Sequence, residues 1–198
     1  KSYKITNSAA IDLSYKRLEV GKNFLNKKRY KLDLISRSNA QYLPFKDNSF
    51  NLVFTNYCLE QAPNIIDEIL LELIRISNKY IILIEPSFEY GSDFSKNKIL
   101  IKDYPILTEK LFKHKNCEII YRAPMPLSKY INRSEVVILK KNLTDKNIKT
   151  KKINLVCPIT KENLIKKGTY FHAKKNKIKY PIKKGMPLLA NFDAIYYK

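Results

Sequence analysis

Apolar residues in this chain gather in short runs separated by stretches with helical spacing. Ala9 to Ile11 run into Asp12, Leu32 to Ile35 lead into a polar loop, and Leu52 to Thr55 and Tyr80 to Ile84 are continuous apolar runs. Such runs predict parallel strands buried on both faces. Between them Ser14 is placed to cap a helix from Tyr15 to about Asn26, with Leu18, Phe24 and Leu25 inward. Asn64, after Pro63, is the expected cap of a second helix, with Asp67 and Glu68 near its positive end. Ile66, Ile69, Leu70, Leu73 and Ile74 mark that helix's apolar face. Leu107 to Lys113 reads as a shorter helix, and Glu118 to Arg122 and Glu135 to Lys140 read as two further strands. The alternation predicts an α/β fold, a partial doubly wound sheet. In such sheets an acid at a strand end commonly grips ribose hydroxyls. Asp12 therefore makes a nucleoside-bearing cofactor the first expectation.

The pattern changes after Lys140. K-K-N-L-T-D-K-N-I-K-T-K-K is polar and charged, and residues 141–152 read as a linker. Beyond it, N-L-V-C-P-I-T, T-Y-F-H-A, I-K-Y-P-I and G-M-P-L-L-A are short β-type runs punctuated by Pro and Gly. The expected organisation is a first domain over 1–140 and a small β-rich module over 153–198.

Charge and cysteine content narrow the picture. The formal net charge is +20, and residues 140–198 carry sixteen Lys against three acids. That bias suggests an anionic partner, RNA or an acidic protein, at the Lys-rich C-terminal region. The competing reading is a solvated surface, since the chain has 32 Lys and only six Arg, and base readers draw on Arg's bidentate fork. The three cysteines, Cys58, Cys117 and Cys157, form neither a C-x-x-C pair nor a disulfide framework, which suits a reducing compartment. No apolar run is long enough to span a bilayer.

The stretch from Ala9 to Pro86 resembles the class I S-adenosylmethionine methyltransferases, in particular the ubiquinone and menaquinone methyltransferase branch. The resemblance rests on A-I-D-L-S, S-N-A-Q-Y-L-P-F, L-P-F-K-D-N-S-F-N-L-V and N-Y-C-L-E-Q-A-P, and covers roughly residues 8–140. It implies S-adenosylmethionine as cofactor and a cytoplasmic enzyme, with Asp12, Leu13, Asn39, Ala40 and Thr55 binding the cofactor. Asp12 matches the ribose-binding acid, and Asn39-Ala40 match an Asp-Ala pair that reads the adenine. The Asn39 amide oxygen can still accept a hydrogen bond from the adenine amino group. Gln61 stands where the family usually has His. The family's last two strands form an antiparallel hairpin at a sheet edge, to which Glu118–Arg122 and Glu135–Lys140 correspond. Its Gly-rich loop is absent, since Gly21, Gly91, Gly168 and Gly185 form no cluster. The expectation is a methyltransferase domain lacking its first βα unit. Glu85 and Glu89, at the carboxyl edge of the sheet, are the candidates to orient an acceptor or remove its proton, against the simpler reading of solvated loop acids. His114, in K-H-K, and His172 read as non-catalytic. No Asn/Asp-Pro-Pro-aromatic motif, Pro-Cys nucleophile, P-loop or Ser-His-Asp set is present.

Residues 153–192 resemble the small module that activates tRNA, ribosomal and release-factor methyltransferases. Leu155, Cys157, Pro158, Thr160, Leu164, Tyr180, Pro181, Ile182, Gly185, Pro187 and Leu188 carry the match. With Cys157 and His172 alone, the module lacks the four ligands of a structural zinc site, so no metal is expected and Cys157 reads as a small buried hydrophobe. The module is expected to dock on its own methyltransferase half, near the Glu135–Lys140 strand, by backbone pairing or through Leu155, Ile182, Leu188 and Leu189. The leading expectation for function is methyl transfer to an unidentified acceptor. A non-catalytic partner-binding scaffold and an RNA-binding accessory subunit are the alternatives.

Overall fold

The computed structural model describes residues 7–113, 116–126, 133–142 and 152–198. His114 and most of the 141–152 linker lie outside them. The fold is mixed α/β and divides into two compact units, one from residues 1–49 and 149–198 and one from residues 50–148.

In the first unit, β1 (Ala9–Asp12) pairs in parallel with β2 (Leu34–Arg37), placing Asp12 opposite Arg37. Helix α1 (Tyr15–Lys27) joins them in a βαβ unit. Ser14 caps it as expected, its side chain accepting from Arg17 N, and Leu18 is the helix residue that becomes fully buried. Phe24 remains mostly exposed.

The C-terminal part of this unit is a meander of β7 (Ile165–Lys167), β8 (Tyr170–Ala173), β9 (Ile178–Lys183) and β10 (Met186–Pro187), with β11 (Ile195–Tyr196) also on β9. All of its pairings are antiparallel. Lys184 and Gly185, both at positive φ, form the two-residue loop between β9 and β10. Two left-handed residues in a row are what a type I′ hairpin turn requires. The meander closes on Cys157, Ala173, Ile178, Tyr180 and Leu189, with Leu155, Leu164, Phe171 and Ala194 packed around them. Cys157 is fully buried and its Sγ lies 3.3 Å from the Tyr180 hydroxyl. Burial and this contact push the Tyr180 hydroxyl far above its ordinary titration range.

This meander joins the βαβ segment through backbone bonds. Leu188 bridges Arg37 in parallel and Leu155 bridges Phe45 in antiparallel fashion. Leu189 N donates to Arg37 O (2.7 Å), and Val156 N donates to Pro44 O (3.0 Å). Leu43 and Phe45 are buried. Of the four apolar residues expected at a docking surface, Leu155, Leu188 and Leu189 make these backbone contacts, while the side chains of Leu155 and Leu189 pack in the meander's own core.

In the second unit the strand order is β3 (Phe50–Asn56), β4 (Ser77–Pro86), β6 (Ser134–Lys141), β5 (Cys117–Pro124). β3 and β4 are parallel; β6 runs antiparallel to both β4 and β5. Strands β5 and β6 thus form the expected antiparallel hairpin at one end of the sheet, with β5 outermost and β6 between it and β4. Helix α2 (Ile66–Ile76) buries Ile69, Leu70, Leu73, Ile74 and Ile76. Asn64 does not cap it; a 3-10 turn over Pro63–Ile65 precedes the helix, and Ile65 occupies the cap position without a side-chain bond. Two further helices are α3 (Asp93–Ile101), capped by Ser92, and α4 (Glu109–Lys113). The core of the unit includes Ile81, Leu83, Val137, Leu139, Leu107 and Phe112.

Candidate functional site

Asp12, Leu13, Asn39 and Ala40 belong to the first unit, and Thr55, Glu85 and Glu89 to the second. In the first unit the carboxyl ends of parallel β1 and β2 lie side by side, where doubly wound sheets hold ligands. The Asp12 backbone oxygen accepts from Ser38 N (3.1 Å), which ties the strand end to the start of the Asn39 loop. The Asp12 carboxylate accepts from Ser14 N through Oδ1 (2.6 Å). Its Oδ2 lies 3.9 Å from the guanidinium of Arg17, which is largely exposed. The carboxylate thus has one oxygen fixed by the turn into α1 and the other beside a solvated cation. Leu13 follows it with about half its surface exposed.

Asn39 is more committed than the sequence suggests. Its Oδ1 accepts from Gln41 N (3.0 Å) and its Nδ2 donates to Asn191 Oδ1 (3.3 Å). Tyr42 N donates to the Asn39 backbone oxygen, closing a turn through Ala40 and Gln41. An amide oxygen has two lone pairs, so one acceptor site on Asn39 is left over. Beside Asn39, the Arg37 guanidinium pairs with the Asp193 carboxylate through Nη2 and through Nε (2.9 Å). Asp193 also accepts from Ala190 N (3.1 Å). Buried Ser36 donates to Pro187 O (3.1 Å). A small cavity of about 170 Å³ opens between β1 and α1, lined by Asp12, Arg17, Leu18, Gly21 and Leu25 among others.

In the second unit Thr55 is the penultimate residue of β3 and its hydroxyl donates to Glu85 Oε1 (3.1 Å). The same oxygen accepts from Cys58 N (3.1 Å) and Leu59 N (3.2 Å), and Oε2 accepts from Glu60 N (3.4 Å). Glu85 is fully buried. Burial raises its pKa, and the backbone donors of Leu59 and Cys58 pull the other way. These bonds make Glu85 the acceptor that holds the 3-10 turn of Leu59–Gln61 in place. Glu89 is different. It is about half exposed and pairs with Arg122 (3.0 Å). Arg122 also grips Glu135, which is almost fully buried, through Nε (2.5 Å) and Nη2 (3.1 Å). Burial raises the pKa of Glu135 against the pull of Arg122. A cavity of about 330 Å³ lies here, lined by Phe88, Glu89, Lys96, Ile106, Leu107, Thr108 and Arg122. Its size matches the low end of small-molecule sites. The sequence reading did not single out Arg122, Glu135 or Arg37. For the two arginines the signal is the rarity of Arg in a Lys-rich chain, since a planar fork is what a bidentate carboxylate pair demands.

His172 lies in β8 between the rings of Tyr170 and Tyr197. Burial, then the charges of Lys167, Lys179 and Lys174, lower its pKa. Among the described residues no group of His, Cys, Asp or Glu is arranged to hold a metal ion, and no helix is long and apolar enough to cross a membrane.

Residues 2–79 match the model of a methyltransferase domain family. No curated protein matches the chain in sequence. Among solved structures, a SAM-dependent methyltransferase from Methanosarcina mazei superposes with a TM-score of 0.54 at 18% identity, covering 68% of this chain and 82% of that one. A putative methyltransferase from Bacillus halodurans gives 0.55 at 13% identity, covering 68% and 83%. The magnesium protoporphyrin IX methyltransferase of Synechocystis, crystallised with SAH, gives 0.54 at 11% identity, covering 67% and 63%. The stretch from β1 to the start of β4 thus matches a methyltransferase domain in sequence, and the chain has the α/β fold of the SAM-dependent methyltransferases.

Proposed function

We propose that this protein transfers a methyl group from S-adenosylmethionine to an acceptor, with the nucleoside end of the cofactor held at the carboxyl ends of β1 and β2. The observation that carries the reading is Asp12, an acid closing the first strand of a parallel βαβ unit, inside the segment that matches the methyltransferase domain. One Asp12 oxygen is occupied by Ser14 N, and the second is the group that accepts from the ribose diol. Asn39 and Ala40 border the adenine, Asn39 through the acceptor capacity that Gln41 N leaves free.

The cofactor supplies an already activated methyl group, so the protein's work is alignment and, where the acceptor needs it, removal of a proton. Glu85 is buried under its turn, so its task is to position residues 58–60. Glu89, exposed at the 330 Å³ cavity, is the acid able to meet an acceptor.

The test is calorimetric titration of the full-length protein with S-adenosylhomocysteine. Asp12→Asn keeps an oxygen for Ser14 N but loses the charge; Asp12→Ala loses both. Each is expected to weaken binding by about 1–3 kcal/mol, the range for hydrogen bonds to a charged group. Affinity unchanged in both variants would remove Asp12 from the site.

A further inference from the structure

Phe192 is an exposed aromatic carried on a turn that is itself tied down. It sits in the middle of the 3-10 turn Asn191–Asp193, and 61% of its surface is exposed. Both neighbours in that turn are spent on the strand-end loop. Asn191 accepts from Asn39 Nδ2 (3.3 Å), and Asp193 holds the Arg37 guanidinium. Asp193 also accepts from Ala190 N, and Ala190 is fully buried. The turn is therefore anchored on both sides while the ring it carries stays in solvent. Arg37 lies against one part of that ring, its guanidinium carbon 5.1 Å from the centroid. Arg37 is in turn the register partner of Asp12. An aromatic ring held rigidly in water forgoes the gain of burial, which a partner with a flat face would recover.

We propose that Phe192 is an adenine-stacking residue: the C-terminal meander supplies one wall of the nucleoside site whose floor is the carboxyl ends of β1 and β2. This rests on reading that site as an S-adenosylmethionine site. Asp12 takes the ribose hydroxyls, Asn39 an edge of the base, and the Phe192 ring a face of it. Arg37 fixes the ring's tilt by its cation–π contact. Base–aromatic stacking of this kind tolerates no loss of the ring but accepts another aromatic.

The chain contains no tryptophan, so Phe192→Trp places a single tryptophan, excited selectively over the tyrosines, at the proposed contact. The full-length protein, F192A, F192W and D12N are titrated with S-adenosylhomocysteine by calorimetry, and F192W is also followed by emission. F192A is expected to bind about tenfold or more weakly with its thermal unfolding unchanged, since the side chain is exposed. F192W is expected to bind within about twofold of the unaltered protein and to lose emission as the base stacks on it. Unaltered affinity in F192A, or F192W emission that stays constant at saturating ligand, overturns the proposal. If D12N alone is weakened, the cofactor reading stands and the stacking role falls. If the unaltered protein does not bind the ligand, both fall together.

Discussion

Glu85→Ala is expected to destabilise the 50–148 unit by roughly 3–4 kcal/mol, because it strips the acceptor from several buried donors at once. Thr55 Oγ1, Cys58 N, Leu59 N and Glu60 N all donate to this carboxylate. Glu60 N is the weakest of them at 3.4 Å, and Cys58 is only partly buried, so water relieves part of the loss. The buried volume left behind adds a cavity term. Glu85→Gln is the informative companion. Its Oε1 replaces the oxygen with three donors, and its Nε2 meets the weakest one, so its penalty should be small at neutral pH. The two proteins also differ with pH. Burial raises the Glu85 pKa in the folded state, so the folded form prefers the proton. Its stability contribution is then complete below the unfolded carboxyl pKa and is lost as pH rises through the folded one. Gln has no such loss. In urea unfolding from acid to neutral pH, the stability of E85Q relative to the unaltered protein should therefore rise with pH. A constant difference across that window would contradict a raised pKa, and an E85A loss below about 1 kcal/mol would contradict the turn-holding role.

Asp193→Ala is expected to cost about 2–3 kcal/mol and to loosen the C-terminal meander from β2. Breaking a buried ion pair by removing one partner leaves the other charge uncompensated, an effect of about 3–5 kcal/mol when both are fully buried. Here the Asp193 side chain is 6% exposed but that of Arg37 is 24% exposed, so the smaller figure applies. The loss of the Ala190 N bond is included. If the pair acts as a unit, Arg37→Ala combined with Asp193→Ala should cost clearly less than the sum of the single changes. Additive effects would show that the two residues act separately. Faster hydrogen exchange is expected at Leu189 N, whose acceptor is Arg37 O, and at Val156 N, whose acceptor is Pro44 O. Exchange unchanged at both amides would refute the loosening.

What the sequence disclosed was mostly periodicity. The strands ending at Asp12 and running through Leu52–Thr55 and Tyr80–Ile84 showed as apolar runs, and α1 showed its Ser14 cap. Helix α3 escaped because its face is nearly unpatterned: Ser95 and Ile99 are buried, while Phe94, Leu100 and Ile101 are exposed. Its start was readable, since Ser92 accepts from Ser95 N in the usual cap geometry. Strand β4 begins earlier than its apolar run because Asn78, a polar residue, is buried on Asn51. Asn64 does not cap α2 because a 3-10 turn intervenes, which a local polar signal cannot show. The difference between Glu85 and Glu89 is one of burial. Two glutamates four residues apart look alike until the fold places one under a turn and the other in water.

The first unit is assembled from the two ends of the stretch. Ser36 bonds Pro187 across 151 residues, and Arg37 bonds Asp193 across 156. During synthesis the 50–148 segment is complete before any of the meander has been made. It can fold locally, whereas β1, α1 and β2 wait on the ribosome for the residues that will cover them. Domains of this kind expose apolar surface for the length of that wait, at translation rates of about 5–20 residues per second. Leu43 and Phe45, buried in the folded protein, are among the apolar side chains of that waiting segment. Truncation before Pro187, which removes the contacts to Ser36 and Arg37, should thus be read out first as aggregation, before any measurement of activity is reached.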